Sequence, residues 1–201
     1  MKPSLIGKAT EFARSVFEKD ASGHDFDHTM RVYRMAVRIA EEEGADLQIV
    51  ALAALLHDVD DRKISPQTCA NKDRAVGFLQ ENGISEPEIR KIAQIFSEIS
   101  FSEGNGRPSG VEGMCVQDAD RLDAMGAIGI ARTFAFGGSR GRRIHDPEGV
   151  DKGSSVQHFY DKLLLLKDLM NTAAGRKLAQ QRDAYLRGFL DEFYAEWAGT
   201  R

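Results

Sequence analysis

LQIVALAALLHD, Leu47 to Asp58, is apolar nearly all round a helix until its last two residues. A helix with no polar face has to be surrounded by others, so this stretch reads as the buried centre of a helical domain. Outward from it, apolar residues recur at spacings of three and four, the helical period. Upstream, Leu5, Ala9, Phe12, Val16 and Phe17 form one stripe that breaks at Asp20–Gly23. A second helix is predicted from about Asp27 to Glu43, with His28, Val32, Met35, Ala36 and Ile39 on one face and Gly44 closing it. Downstream, shorter helices are predicted over Pro66–Glu81 and Pro87–Glu98, separated by Asn82-Gly83.

Residues 100–113, with four glycines, read as a loop, and Val116–Phe136 as a helix with a bend near Gly126 and Gly129. A second glycine-rich loop spans Gly137–Gly153. Helices over about Val156–Thr172 and Gly175–Trp197 finish the chain, with Leu186, Leu190, Phe193 and Trp197 striping the last. No segment alternates apolar and polar residues at strand length. The expectation is an all-α, compact multi-helix bundle with two glycine-rich loops. It forms one domain over residues 1–201, with a core at about 24–135 and a C-terminal helical part at about 154–198.

Composition narrows the function. The 201 residues carry 27 Lys plus Arg against 31 Asp plus Glu, a formal charge of −4, so nothing global draws the chain to nucleic acid or to an anionic membrane. At 42% hydrophobic and 29% charged residues the chain is ordinary globular protein, and no apolar run approaches the ~20 residues of a membrane span. The N-terminus lacks the apolar core of a signal peptide. The two cysteines, Cys69 and Cys115, form no CxxC, which suits a reducing cytoplasm.

Three of the five histidines stand directly before an aspartate: His24-Asp25, His57-Asp58 and His145-Asp146. His57-Asp58 ends the most apolar helix, where a buried charge is costly unless paired or metal-bound. Consecutive helical residues diverge by ~100°, so both can address one ion only where the helix ends and unwinds. His28 lies on the core-facing stripe of its own helix, and Asp120 shares a face with Val116, Asp123 and Ala127. Imidazole with carboxylate is a nitrogen/oxygen set suited to Mn, Fe, Co, Ni or Zn. Each residue alone also has a structural reading: His28 satisfied by a carbonyl, Asp58 ending a helix, Asp120 on the surface. For Asp25 or Asp27 the structural role is an N-cap.

The order His28, His57-Asp58, Asp120 resembles the metal signature of the HD-domain metal-dependent phosphohydrolase superfamily. The flanks HDFDHTMRV (24–32), LLHDVDDRK (55–63), VQDADRLDAMGAIGIARTF (116–134) and HFYDKLLLL (158–166) are similar to those of the YedJ/YpgQ group of bacterial HD hydrolases. The resemblance implies an all-α domain and a divalent metal, Mn foremost with Mg also admitted. It further implies nucleoside triphosphates cut to a monophosphate and pyrophosphate. Four ligands leave positions open on a six-coordinate ion, and the few other histidines favour one ion over two.

A carboxylate near the ion can orient water or shuttle its proton. Asp61, four residues beyond His57, is the candidate, with Asp60 as its comparison; an acidic turn in solvent is the rival reading. Phosphate charge calls for cations. Arg31 follows His28 by three residues on one helix face. Lys63 follows Asp61, and Arg140, Arg142 and Arg143 cluster in the second loop. Lys162 is suggested by the family pattern. Asp123 suits a ribose or base contact, or support of a metal-bound histidine. Rival functions are a monophosphatase or cyclic-nucleotide phosphodiesterase on the same site, or a metal- and nucleotide-binding sensor without turnover.

Overall fold

A computed structural model describes residues 4–17, 25–61, 65, 67–68, 70–99, 106–150 and 153–201. The regular elements among them are all helical: α1 (Leu5–Phe17), α2 (Phe26–Glu43), α3 (Leu47–Leu56), α4 (Asp73–Glu81), α5 (Glu86–Ile99), α6 (Val111–Asp123), α7 (Gly126–Ser139), α8 (Gln157–Asp161), a 3-10 helix (Leu163–Leu169) and α9 (Ala173–Trp197). The chain divides into two compact units, residues 1–119 and 120–201.

In the first unit α3 is the hub. Ile49 through Leu56 are all buried, as an all-round apolar helix requires, and α1, α2 and α5 pack around it. Local signals set its limits. Asp46 caps α3 by accepting from the N–H groups of Gln48 (3.0 Å) and Ile49 (3.1 Å). Gly44, at φ +68°, ends α2 in the left-handed conformation that glycine adopts at little cost. In the second unit α7 and the 3-10 helix pack on α9, and Phe159 stacks on Phe189 with centroids 5.7 Å apart.

Three elements differ from the sequence expectation. The helix expected from Pro66 starts only at Asp73, because Lys72 is left-handed (φ 57°) and the side chain of Asp60 caps the N-terminus that follows. The single bent helix expected over Val116–Phe136 is two. Met125 is extended, Gly126 has φ +67°, and a Cβ on Gly129 would lie 2.2 Å from the Ala124 carbonyl oxygen. Helix α6 also starts earlier, inside the expected loop. Its first turn is fixed by tertiary contacts of Glu112, which accepts from Lys91 Nζ at 2.8 Å and the Asp46 N–H at 3.4 Å. Lastly, Val156–Thr172 breaks at Lys162 (φ −141°, ψ −58°) into a short α-helix and a 3-10 helix. In the latter, residues three apart eclipse, which lets Leu163 and Leu166 face the interior together.

Candidate metal centre

The site is assembled where two helices begin or end. Asp25, the N-cap of α2, accepts from the His28 backbone N–H at 2.7 Å, which pins the first turn carrying His28. Of the two capping candidates, Asp25 is the one used. His28 is 2% exposed, facing the interior as its stripe predicts.

His57 is the C-cap of α3, and the backbone beyond it tightens into turns: the Val59 N–H reaches Leu56 O at 3.3 Å and the Asp61 N–H reaches Asp58 O at 2.9 Å. This is the unwinding that lets adjacent His57 and Asp58 face one point. His57 Nδ1 lies 2.8 Å from the Ala54 carbonyl, which can only accept, so Nδ1 carries a proton and Nε2 is the nitrogen left to face an ion. Nε2 of His57 lies 3.2 Å from Asp58 Oδ2, and Nε2 of His28 lies 3.6 Å from the same oxygen. Both Nε2 atoms are buried.

Helix α6 begins in the first unit and runs unbroken to Asp123, carrying Asp120. One ligand atom each from His28, His57 and Asp120 lie within 4.8 Å of one another. Two imidazole nitrogens and a carboxylate oxygen at that spacing fit a divalent ion of the borderline class. The sequence placed these three residues and Asp58 in one set; the trio and the Asp58 approach to both imidazoles are what the geometry brings together.

The remaining candidates have the following surroundings. Asp61 is half-buried, and its carbonyl accepts from the Ser65 N–H at 2.7 Å. Arg31 is half-buried on α2. Asp123 is buried and receives Arg132 Nη1 at 2.6 Å. Arg143 pairs with buried Asp146 at 2.9 Å. The guanidinium carbons of Arg140 and Arg142 each lie 5.4 Å from the centre of the Phe136 ring. Lys162 follows α8, and its N–H caps that helix on the His158 carbonyl. Lys63 and His24 lie outside the described residues. Arg121, next to Asp120 in sequence, is buried and donates to the Leu169 carbonyl.

Sequence reasoning named Asp60 only as a comparison for Asp61 and missed its capping role. It is 1% exposed and accepts from the N–H groups of Arg74 (3.3 Å) and Ala75 (2.9 Å), tying the turn after His57 to α4. Ser65 Oγ holds the same turn through Val59 O at 2.9 Å. A buried cap 13 residues upstream of its helix leaves no local spacing signal.

No helix among the described residues is long and apolar enough to cross a membrane. Residues 25–125 match the HD domain family. Protein YpgQ of Bacillus subtilis (strain 168) is 37% identical over 191 residues, covering 94% of this chain and 91% of that protein. Among solved structures, an HD-superfamily hydrolase from Bacillus thuringiensis aligns with TM-score 0.83 at 44% identity, covering 96% of each chain. Bacillus subtilis YpgQ in complex with ADP aligns with TM-score 0.80 at 36% identity, covering 96% of this chain and 94% of that one. With the His/Asp cluster at the end of its buried helix, the chain belongs to the HD domain family of metal-dependent phosphohydrolases.

Proposed function

We propose that this protein hydrolyses nucleoside triphosphates to a monophosphate and pyrophosphate in the cytoplasm, using one divalent ion, Mn foremost, held by His28, His57, Asp58 and Asp120. The observation that carries the metal reading is the trio of ligand atoms within 4.8 Å, with His57 Nδ1 committed to a carbonyl so that Nε2 is the donor. Nucleotide chemistry is supported by the ADP complex of the similar YpgQ.

A divalent ion bound there supplies Lewis acidity and an activated water. His28 and His57 offer imidazole nitrogens as ligands. The Asp58 and Asp120 carboxylates supply the negative charge that favours a cation over a proton. Asp61, one turn past Asp58, takes the proton from the attacking water and releases it to solvent. Arg31, Lys63, Arg140, Arg143 and Lys162 counter the phosphate charge, and Asp123, buried against Arg132, accepts from a ribose hydroxyl or from a base.

Chelated protein with Mn²⁺ restored, incubated with nucleoside tri-, di- and monophosphates and a cyclic dinucleotide, tests this by chromatography of the products. Monophosphate and pyrophosphate, absent with Asp58→Ala, are expected. Orthophosphate from a monophosphate would assign the site to a nucleotidase. Tight metal binding without any turnover would assign it to a sensor module.

A further inference from the structure

Of the three histidine-aspartate pairs in the sequence, His145-Asp146 takes no part in the metal centre. Over residues 138–150 every side chain is exposed except these two: His145 is half-buried and Asp146 is buried. The loop that carries the arginine cluster is therefore anchored by two adjacent residues. His145 sits in an aromatic corner at the end of α9. Its ring centre lies 5.1 Å from that of Trp197, 5.3 Å from Tyr194 and 5.9 Å from Phe193, with interplanar angles of 88°, 75° and 89°. Edge-to-face contact is an arrangement that aromatic quadrupoles favour. The corner is itself fixed. Phe193 and Trp197, one turn apart, stack at 5.6 Å, and Tyr160 on α8 donates to Tyr194 Oη at 3.2 Å.

Asp146 is anchored through an arginine: its carboxylate, 2% exposed, accepts from Arg143 Nη1 at 2.9 Å. A guanidinium has five N–H groups, that bond uses one, and the Arg143 side chain is 61% exposed. The Ser155 N–H binds Arg143 O and the Val156 N–H binds Ile144 O, both at 2.9 Å, closing the loop along its backbone. Gly141 and Gly149 in this stretch have φ +65° and +67°, so the loop turns on residues with wide conformational freedom. Without side-chain anchors, a ligand would have to order the arginine as it bound.

We propose that His145 is a positioning residue: seated among Trp197, Tyr194 and Phe193, it latches the loop to α9 and, through Asp146, holds Arg143 ready for the phosphates of a polyphosphate substrate. The latch rests on the phosphate role given to Arg143 above and adds to it the contacts that set the arginine in place. A guanidinium ordered beforehand loses little freedom when substrate arrives. Releasing it should weaken polyphosphate binding about tenfold.

The test is calorimetric titration of the full chain with magnesium tripolyphosphate in excess Mg²⁺, beside limited trypsin digestion read by mass spectrometry. His145→Ala and Trp197→Ala should each bind about tenfold more weakly than the parent. Both should be cut faster after Arg140, Arg142 and Arg143, with other sites cut at the parent rate. His145→Phe, which keeps a ring in the corner, should restore affinity and protection. In an Arg143→Gln background, His145→Ala should cost no further affinity, because the latch acts through that arginine. Three results overturn the proposal: unchanged affinity in both alanine variants, a full further loss in the Arg143→Gln background, or faster cleavage spread along the whole chain. Pyrophosphate release from nucleoside triphosphates is followed in the same samples. A parent that binds tripolyphosphate in the expected way but releases no pyrophosphate fails the proposed reaction and leaves the latch standing. A parent that turns over, with alanine variants of unchanged affinity, fails the latch alone. A parent that does not bind tripolyphosphate overturns the latch.

Discussion

At the scale of single residues, one hydrogen bond decides what His57 can do. With its Nδ1–H committed to Ala54 O, the ring presents Nε2 to the same buried space as His28 Nε2. That an aspartate follows His57 was legible in the sequence; which nitrogen faces it was not, because the tautomer depends on a carbonyl three residues back in folded geometry. Cys115 shows the opposite outcome of burial. It is 0% exposed, and desolvation, reinforced by Glu43, Asp118 and Glu112, pushes its thiol up to about 12. At pH 8 the thiolate share is then about one in 10 000, so Cys115 is chemically inert in the native state. A Cys69→Ser protein should release no colour from a disulfide reagent until denaturant is added. Rapid reaction of native protein would contradict the buried placement of Cys115.

At the scale of elements, the helices whose limits follow from local chemistry were readable and those set by distant contacts were not. The all-round apolarity of α3, the Asp25 cap and the Gly44 stop are all local. The start of α4 depends on Asp60, and the start of α6 on Lys91 and the Asp46 N–H reaching Glu112. Gly126 and Gly129 signalled an irregularity in sequence, but a bend and a full break look alike without knowing that Gly126 is left-handed. Asp60 also changes the meaning of an Asp60/Asp61 comparison. Asp60→Ala removes the acceptor for two N–H groups, one of them on buried Ala75, and should cost about 1–3 kcal/mol of stability. Asp61→Ala should lower turnover by a larger factor than Asp60→Ala does once the loss of folded protein is allowed for. Urea unfolding beside an activity assay separates the two, and an Asp60→Ala protein as stable as the parent would remove the capping account of α4.

For the molecule as a whole, carboxylates in both units tie stability to pH in one direction. Glu98 and Glu112 in the first unit and Asp183 in the second are each opposed by burial. Hydrogen bonds outweigh it: from Ser109 and Gln94, from Lys91 and backbone N–H groups, and from Arg187 and Lys167 respectively. All three titrate below their ordinary values. Their contribution is therefore present above the unfolded midpoints, about 4, and is lost as pH falls through the lower folded ones. The unfolding temperature should hold steady from neutral pH to about 5 and then fall. Asp183→Asn should lower it at pH 7, with the gap to the parent closing in acid. A gap that widened in acid would contradict the ion-pair account of Asp183, whose Oδ2 accepts from Arg187 at 2.9 Å and Lys167 at 3.2 Å.

The proposed divalent ion rests on His28, His57 and Asp120, joined by Asp58. Its most direct test is an equilibrium Mn²⁺ titration of the chelated full chain, read by the loss of the free-ion electron paramagnetic resonance signal, beside His57→Ala and Asp120→Ala. One tightly held ion per chain is expected in the parent. Each substitution should weaken binding by more than about 100-fold, beyond what loss of an outer-shell partner costs. Mn²⁺ binding of unchanged strength in both variants would show that the cluster at the end of α3 is not the metal site.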